Sequence, residues 1–295
     1  MPHDSGNYLT FQADLSNPET VSAYDEVPLW SALFGLLLLR NIPLGPNWRV
    51  LDVGCGTGFP TLELAQRLGA SCEVVGIDPW EAALARAKRK AKIWGVRNAT
   101  FLPERAEKLS FADSSFDLIV SNLGLNNFAN AEAAVAECWR VAKPGAKVAL
   151  TTNLQGHMAE FYEVFDSTLR KLGLTRALED LQAHVRHRAT VESVSSLLQN
   201  AGFHVLRVLT ESQPIRFADG SALLQHYFIK LGFLEAWKKV VPPSDQEAVF
   251  ERIEAALNAE AMEKGGLVLR IPMAYVEAER PKSAGACNHP VSLLL

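Results

Sequence analysis

The peptide Asp52-Val53-Gly54-Cys55-Gly56-Thr57-Gly58 constrains this chain more than any other segment. It closes a short apolar run, residues 49–53, and precedes a helical pattern over residues 60–68. Glycines at a strand-to-helix turn permit positive φ and let the backbone approach a ligand with no Cβ in the way. The helix that follows presents unpaired N–H groups, which favour a ligand carrying an anion or a carboxylate. Asp78 stands just after the next apolar run, residues 73–77, where an acid accepts hydrogen bonds from a ribose diol.

Strand and helix patterns alternate around this turn. Strands are expected over residues 49–53, 73–77, 99–102, 116–121 and 147–152, with helices over 60–68, 81–94 and 131–141. Such spacing makes βαβ units and a parallel sheet wound right-handed. The alternation ends near Thr152. Residues 155–188 read as helices, 190–201 as another, and 203–209 as a strand. Residues 219–263 are helical again, interrupted by Pro242-Pro243, and a last strand over 267–276 is broken at Pro272. Ahead of the core, residues 1–27 read as a loosely structured arm with a short helix, and 29–40 as a helix.

The resulting plan is an N-terminal helical arm (1–45), a ligand-binding core (46–154), a helical insertion (155–188) and a completion of the core (189–218). A second helical insertion (219–264), a last strand (265–280) and a disordered tail (281–295) follow.

With 295 residues, 48% hydrophobic and 21% charged, the chain has the balance of a globular protein. It can bury a core without disulfides or metals. A net charge of −4 gives no electrostatic footprint for DNA or RNA, so no nucleic-acid partner is expected. Cys55, Cys72, Cys138 and Cys287 form no CxxC pair and no zinc spacing with histidine, so no metal is expected. Cys55 and Cys138 read as buried, reduced thiols. The most apolar stretch, residues 28–39, falls short of the roughly 20 residues of a membrane span. No signal-peptide pattern opens the chain, so the expected location is the cytoplasm, as a monomer or homodimer.

Two nucleotide-binding alternatives fail on spacing. Counted from Gly54 or Gly56, the third glycine of G-x-G-x-x-G falls on Phe59 or Thr61. The Gly-Lys-Ser/Thr of a phosphate loop is absent. The pattern D-x-G-x-G-x-G instead resembles the first motif of the class I S-adenosylmethionine-dependent methyltransferases, among them small-molecule and quinone-biosynthesis enzymes. Three further blocks keep step with it: Gly76-Ile77-Asp78-Pro79-Trp80, the acidic turn and strand from Phe111 to Asn122, and the junction around Lys143-Pro144-Gly145.

The resemblance implies an α/β, Rossmann-like fold: a seven-stranded, mostly parallel sheet with helices on both faces and a helical lid formed by the insertions. It implies S-adenosylmethionine as cofactor, S-adenosylhomocysteine as product and a small-molecule acceptor as partner. Gly54, Cys55, Gly56 and Gly58 would pack against the methionine part, with Asp52 orienting the turn. Asp78 and Pro79 would lie at the ribose, and Trp80 would cover the adenine or pack at the helix start. Many relatives carry Asp-Ala near the adenine amino group; Glu104-Arg105-Ala106 stands here, and Arg cannot accept that hydrogen bond. Asn122 and Leu123 would form the floor beneath the sulfonium. Tyr24 resembles the tyrosine of an arm that closes over the cofactor.

For the acceptor, Ser121-Asn122-Leu123-Gly124 replaces the motif used to methylate DNA amino groups, and the aromatic second insertion suits a small, partly apolar molecule. Methyl transfer needs alignment first, and a base only if the nucleophile arrives protonated. His157, directly after the fifth strand, is the first candidate base. Asn126 either orients a polar acceptor atom or caps the next helix. Tyr24, His157, His184, Tyr227 and Phe228 are the candidate acceptor contacts. Methylation at O, N, C or S, quinone-type C-methylation, a non-catalytic cofactor-binding protein and a nicotinamide oxidoreductase are the readings to separate.

Overall fold

The apolar run at residues 49–53 becomes β1 (Arg49–Val53), whose interior is buried between parallel neighbours. Val and Leu on both faces are what a central parallel strand needs, because helices cover it above and below. The computed structural model describes residues 7–27 and 29–282. Within them β2 (Glu73–Ile77), β3 (Ala99–Leu102), β4 (Phe116–Asn122) and β5 (Ala142–Asn153) run parallel to β1. β7 (Leu267–Glu279) pairs antiparallel with both β5 and β6 (His204–Phe217). The order β3-β2-β1-β4-β5-β7-β6 is thus the expected seven-stranded, mostly parallel sheet. Strand order reverses between β1 and β4, so the chains leaving them diverge and open a crevice at the carboxyl ends.

The helices are α1 (Pro18–Asp25), α2 (Leu29–Asn41), α3 (Thr61–Leu68), α4 (Glu81–Trp94), α5 (Ala131–Val141), α6 (Ala159–Lys171), α7 (Thr175–Arg186) and α8 (Val191–Asn200). Between β6 and β7 come α9 (Gly220–Gln225), α10 (Tyr227–Ile229), a π-helical turn (Lys230–Leu234), α11 (Glu235–Val240) and α12 (Gln246–Lys264). Strand alternation divides the core. Val50, Val74 and Leu118 face one layer with Leu38 of α2, Phe161 of α6 and Phe250 of α12. Leu51, Val75 and Ile119 face the other, with Val135 of α5 and Leu198 of α8. Both helical insertions therefore thicken the same layer, the one beneath α2.

Local signals set the helix ends. Gly95 ends α4 in the left-handed region at φ 69°, and Thr190 and Ser193 form a reciprocal capping box at the start of α8. Other boundaries differ from the sequence expectation. β6 runs to Phe217 rather than Leu209, because a 14-residue strand of alternating exposure pairs along the whole of β7. β7 is not broken at Pro272, which lies just past the last β5 pair, Asn153 with Met273, where no donor is needed. β5 starts at Ala142, ahead of Pro144, and a register shift opposite Phe116 and Leu118 absorbs the difference.

The N-terminal arm is not loosely structured over its described part. Tyr8 is buried, and its hydroxyl donates to Glu254 of α12. The tail over 283–295, the first six residues and Cys287 lie outside the described residues.

Candidate active site

A cavity of about 380 Å3 lies at the carboxyl ends of β1, β2 and β4. The glycine turn forms its base. Gly54, Gly56 and Gly58 have φ of 82°, 50° and 97°, and the N–H groups of Gly54 and Cys55 both donate to the Ile77 carbonyl, at 2.9 and 3.0 Å. A Cβ on Gly56 would meet nothing within 4 Å, so this backbone faces open space. Asp78 is held from two sides: Gly56 N–H donates to Oδ2 at 2.9 Å and Trp80 N–H to Oδ1 at 2.8 Å. Its carboxylate borders the cavity with lone pairs to spare.

Asp52 lies beneath the turn and is fully buried. Thr61 donates to its Oδ2 at 2.5 Å, while Oδ1 has no partner among the described residues. Burial raises this carboxyl to about 7, opposed by the Thr61 bond and assisted by the charge of Asp78.

The arm roofs the cavity. Tyr24 meets Trp80 edge to face, with ring centroids 5.2 Å apart, and Trp80 Nε1 donates to the Leu15 carbonyl at 2.8 Å. Asp25 fixes α1 to α4 through Arg86 at 2.9 Å and Lys90 at 2.6 Å. Burial opposes the ionisation of Asp25, but these two hydrogen bonds hold its carboxyl below the ordinary range. Gly35 of α2 gives the roof its close fit, since a Cβ there would stand 2.2 Å from the Phe59 ring.

The floor is strained. Leu123 has φ 65°, which costs a non-glycine residue about 1–2 kcal/mol, and its N–H donates to Thr151 of β5. Beside it, Asn122 accepts from Thr151 Oγ1 at 2.8 Å and donates to the Ser31 carbonyl of α2 at 3.1 Å. Strain of this kind survives only where surrounding contacts over-determine the backbone, and it concentrates at functional sites.

Most residues singled out by sequence converge here. Tyr24, Gly54, Cys55, Gly56, Asp78, Pro79, Trp80, Glu104, Arg105, Ala106, Asn122, Leu123 and Phe228 all border the cavity. Asp52 and Gly58 do not border it; they shape the turn from below. Glu104 is engaged by Ser110, and Arg105 reaches Glu107 at 3.6 Å. Cys55 and Cys138 are buried thiols, as expected.

Other candidates lie elsewhere. Tyr227 packs edge to face on Phe11, with centroids 5.8 Å apart. Asn126 donates to Asn153 Oδ1 at 2.5 Å and accepts from Thr152, so it fastens the turn after β4 to β5. His184 pairs with the Tyr162 hydroxyl at 3.1 Å.

His157 is placed differently from the sequence expectation. It follows β5, yet it is 2% exposed and absent from the cavity lining. Trp30, Tyr162 and Phe233 enclose its ring at 5.6–5.8 Å between centroids, and neither ring nitrogen has a partner among the described residues. Burial, followed by the charges of Arg188 and His184, pushes it down to about 3, so the imidazole is neutral. As it stands, its ring is out of reach of a molecule in the cavity.

Sequence reasoning missed several lining residues, among them Val27, Phe59, Phe128 and Leu231. Phe59 carried a signal, as the bulky residue where a dinucleotide turn needs glycine. Leu231, on the π-helical turn, carried none.

The chain's likeness to known proteins agrees with this geometry. The family model described as a methyltransferase domain matches residues 51–150, from β1 to β5. A demethylmenaquinone methyltransferase of Anoxybacillus flavithermus is 28% identical over 197 residues, 64% of this chain and 81% of the relative. The enzyme of the same name from Lactiplantibacillus plantarum is 32% identical over 175 residues, 56% of this chain and 74% of the relative.

Among solved structures, the YcgJ protein of Bacillus subtilis matches with a TM-score of 0.56 at 18% identity, over 85% of this chain and all of that one. Phosphoethanolamine N-methyltransferase 2 of Haemonchus contortus, solved with S-adenosylmethionine, matches with a TM-score of 0.55 at 17% identity, over 90% of this chain and 57% of that one. At such identities the structures speak for the fold. With the glycine turn at the start of the matched domain and relatives spanned over most of their length, this chain belongs to the class I S-adenosylmethionine-dependent methyltransferases.

Proposed function

We propose that the cavity holds S-adenosylmethionine along the glycine turn and passes its methyl group to a small, partly apolar acceptor entering past Trp30, Phe228 and Leu231. One observation carries this reading. A carboxylate pinned at the end of β2 and a bare glycine backbone at the end of β1 border the same cavity, whose far wall is aromatic.

The donor set suits the cofactor. Asp78 accepts from the ribose hydroxyls, and Gly54 to Gly56 let the methionine part lie against the backbone. Asp52, buried beneath the turn, orients it without bordering the cavity. Trp80 and Tyr24 cover the adenine side, where Glu107 stands in for the acceptor that Arg105 cannot provide and Ala106 offers its backbone N–H. When bound, the cofactor supplies a methyl on a sulfonium, an electrophile with a neutral leaving group. The chain's own contribution is alignment and the exclusion of water. Leu123 and Asn122 fix the floor, and the arm fixed by Asp25 closes the roof.

A second reading, C-methylation of a quinone-type ring, is supported by the demethylmenaquinone methyltransferases among the relatives and by the aromatic wall. Release of S-adenosylhomocysteine, followed across small phenols, amines, thiols and naphthoquinols, tests both. Turnover confined to the naphthoquinols favours the second reading. Turnover with none of these acceptors, by protein that binds the cofactor, would count against methyl transfer to small molecules.

A further inference from the structure

Behind the Trp30–Phe228 wall lies a buried polar group that the cofactor does not need. Trp30 stacks on Phe228 at 5.4 Å and meets His157 at 5.8 Å, so one ring lines the cavity on one side and packs on His157 on the other. Past it, His157 is 2% exposed, and among the described residues neither of its ring nitrogens nor the buried Arg188 Nε has a partner. The Tyr162 hydroxyl accepts from Trp237 Nε1 at 3.0 Å, pairs with His184 and faces the Arg188 guanidinium.

The fold brings these groups together from separate segments. The chain after α7 is tied to the end of β5 by a Leu154–Ala189 bridge and by Gln155 N–H donating to the Ala189 carbonyl at 2.9 Å. That tie sets Arg188 beside His157. Met158, next in the chain, sits at φ 52°, a second strained residue at the carboxyl end of the sheet.

Buried polar atoms in native proteins are almost always paired, because an unmade hydrogen bond there costs about 1–3 kcal/mol. Among the described residues, the two His157 ring nitrogens inside an aromatic wall, with the Arg188 charge acting on them and its Nε likewise unpaired, are groups that a polar ligand atom would satisfy. The chemistry of the cluster selects that ligand. A guanidinium is a planar cationic donor, a neutral imidazole donates and accepts, and Trp30 and Phe233 offer flat faces.

We propose that His157, Arg188 and Tyr162 form the acceptor-anchoring subsite, binding the acidic oxygen of a planar aromatic acceptor, a carboxylate or a phenolate. A turn of the Trp30 or Phe228 ring joins this subsite to the cofactor cavity, and the anchored ring then presents its reacting atom past Leu123. The π-helical turn that carries Phe233 is an insertion of the kind that recurs at functional sites. The inference rests on the cofactor assignment above and adds the acceptor class to it.

Calorimetric titration of the full chain, saturated with S-adenosylhomocysteine, tests this with benzoate, 4-nitrophenolate and neutral benzamide. At least one anion should bind, with benzamide at least about tenfold weaker. Benzoate alone or 4-nitrophenolate alone would decide between carboxylate and phenolate. Arg188→Gln and His157→Phe should each weaken the anion by about tenfold and leave S-adenosylhomocysteine affinity within about twofold, with Arg188→Lys in between. Melting curves establish that the variants are folded. The proposal is overturned if neither anion binds, if benzamide binds as well, or if folded Arg188→Gln and His157→Phe proteins keep full anion affinity. Absence of S-adenosylhomocysteine binding to the unmodified chain would instead sink the cofactor assignment, and this proposal with it.

Discussion

The two ends of the crevice are built on opposite principles. At the β1–β2 end nearly every polar group is engaged by backbone: Asp78 accepts two N–H groups, and the Ile77 carbonyl accepts two more. At the β5 end the walls are aromatic rings from α2, α6 and the π-helical turn, and among the described residues both His157 ring nitrogens stand unpaired between them. The first arrangement suits a ligand that is always the same, held by main-chain geometry that side-chain substitution cannot alter. The second suits a ligand that differs between relatives, because rings and single polar side chains are exchanged without disturbing the sheet. On the proposed function, the first end holds the methyl donor and the second its acceptor.

Substitutions that strike one end alone should break this comparison if the two ends are in fact one unit. The largest effect is expected from Trp237→Ala, which removes a fully buried ring stacked at 4.0 Å on Phe161. Thermal or denaturant unfolding should show a loss of about 3–5 kcal/mol. The folded fraction should still bind S-adenosylhomocysteine normally. Next comes Gly56→Val, whose side chain projects into the open cavity. Calorimetry should find cofactor affinity lowered by at least about 100-fold, with a stability cost of only about 1–2 kcal/mol. Asp25→Asn should loosen the roof by weakening the ties to Arg86 and Lys90, raising the cofactor KM by about three- to tenfold and lowering stability by about 1–3 kcal/mol.

The sharpest contrast is in pH dependence. Asp52 is raised to about 7, above an unfolded value of about 3.9, so its stabilising contribution is complete below that value and lost as pH rises through 7. His157 is lowered to about 3 from about 6.5, so its contribution is present above 6.5 and lost as pH falls towards 3. Between roughly pH 4 and 6.5 the two slopes oppose each other, each by at most about 1.4 kcal/mol per pH unit. Relative to the unmodified chain, cofactor-free Asp52→Asn should gain stability as pH rises across this window, and His157→Gln should lose it. Denaturant titrations at several pH values measure both slopes, and parallel curves for the two variants would contradict the assignment.

The same contrast explains what was legible in the sequence. The glycine turn makes local demands, positive φ and a bare backbone, and local demands leave local signatures. Asp78, Trp80, Asn122 and the Gly95 helix stop were readable for that reason. The proposed acceptor end is assembled from Trp30, His157, Tyr162, Arg188 and Phe233, which come from five separate segments. No spacing rule joins them. His157 was identified from its position after β5, but its burial depends on α2 and the π-helical turn, and adjacency to a strand cannot reveal that. The second half of β6 was hidden likewise, because the run from Thr210 to Phe217 is polar and contains Pro214. Only its pairing along the whole of β7 makes it a strand.

The carboxylate at the end of β2 is where the assignment stands or falls. Calorimetric titration of S-adenosylhomocysteine into the unmodified chain and Asp78→Ala measures it directly. Loss of two charge-assisted hydrogen bonds to the ribose should weaken binding by about 100-fold or more, with folding intact. Equal affinity for the two proteins would contradict the placement of the cofactor along the glycine turn.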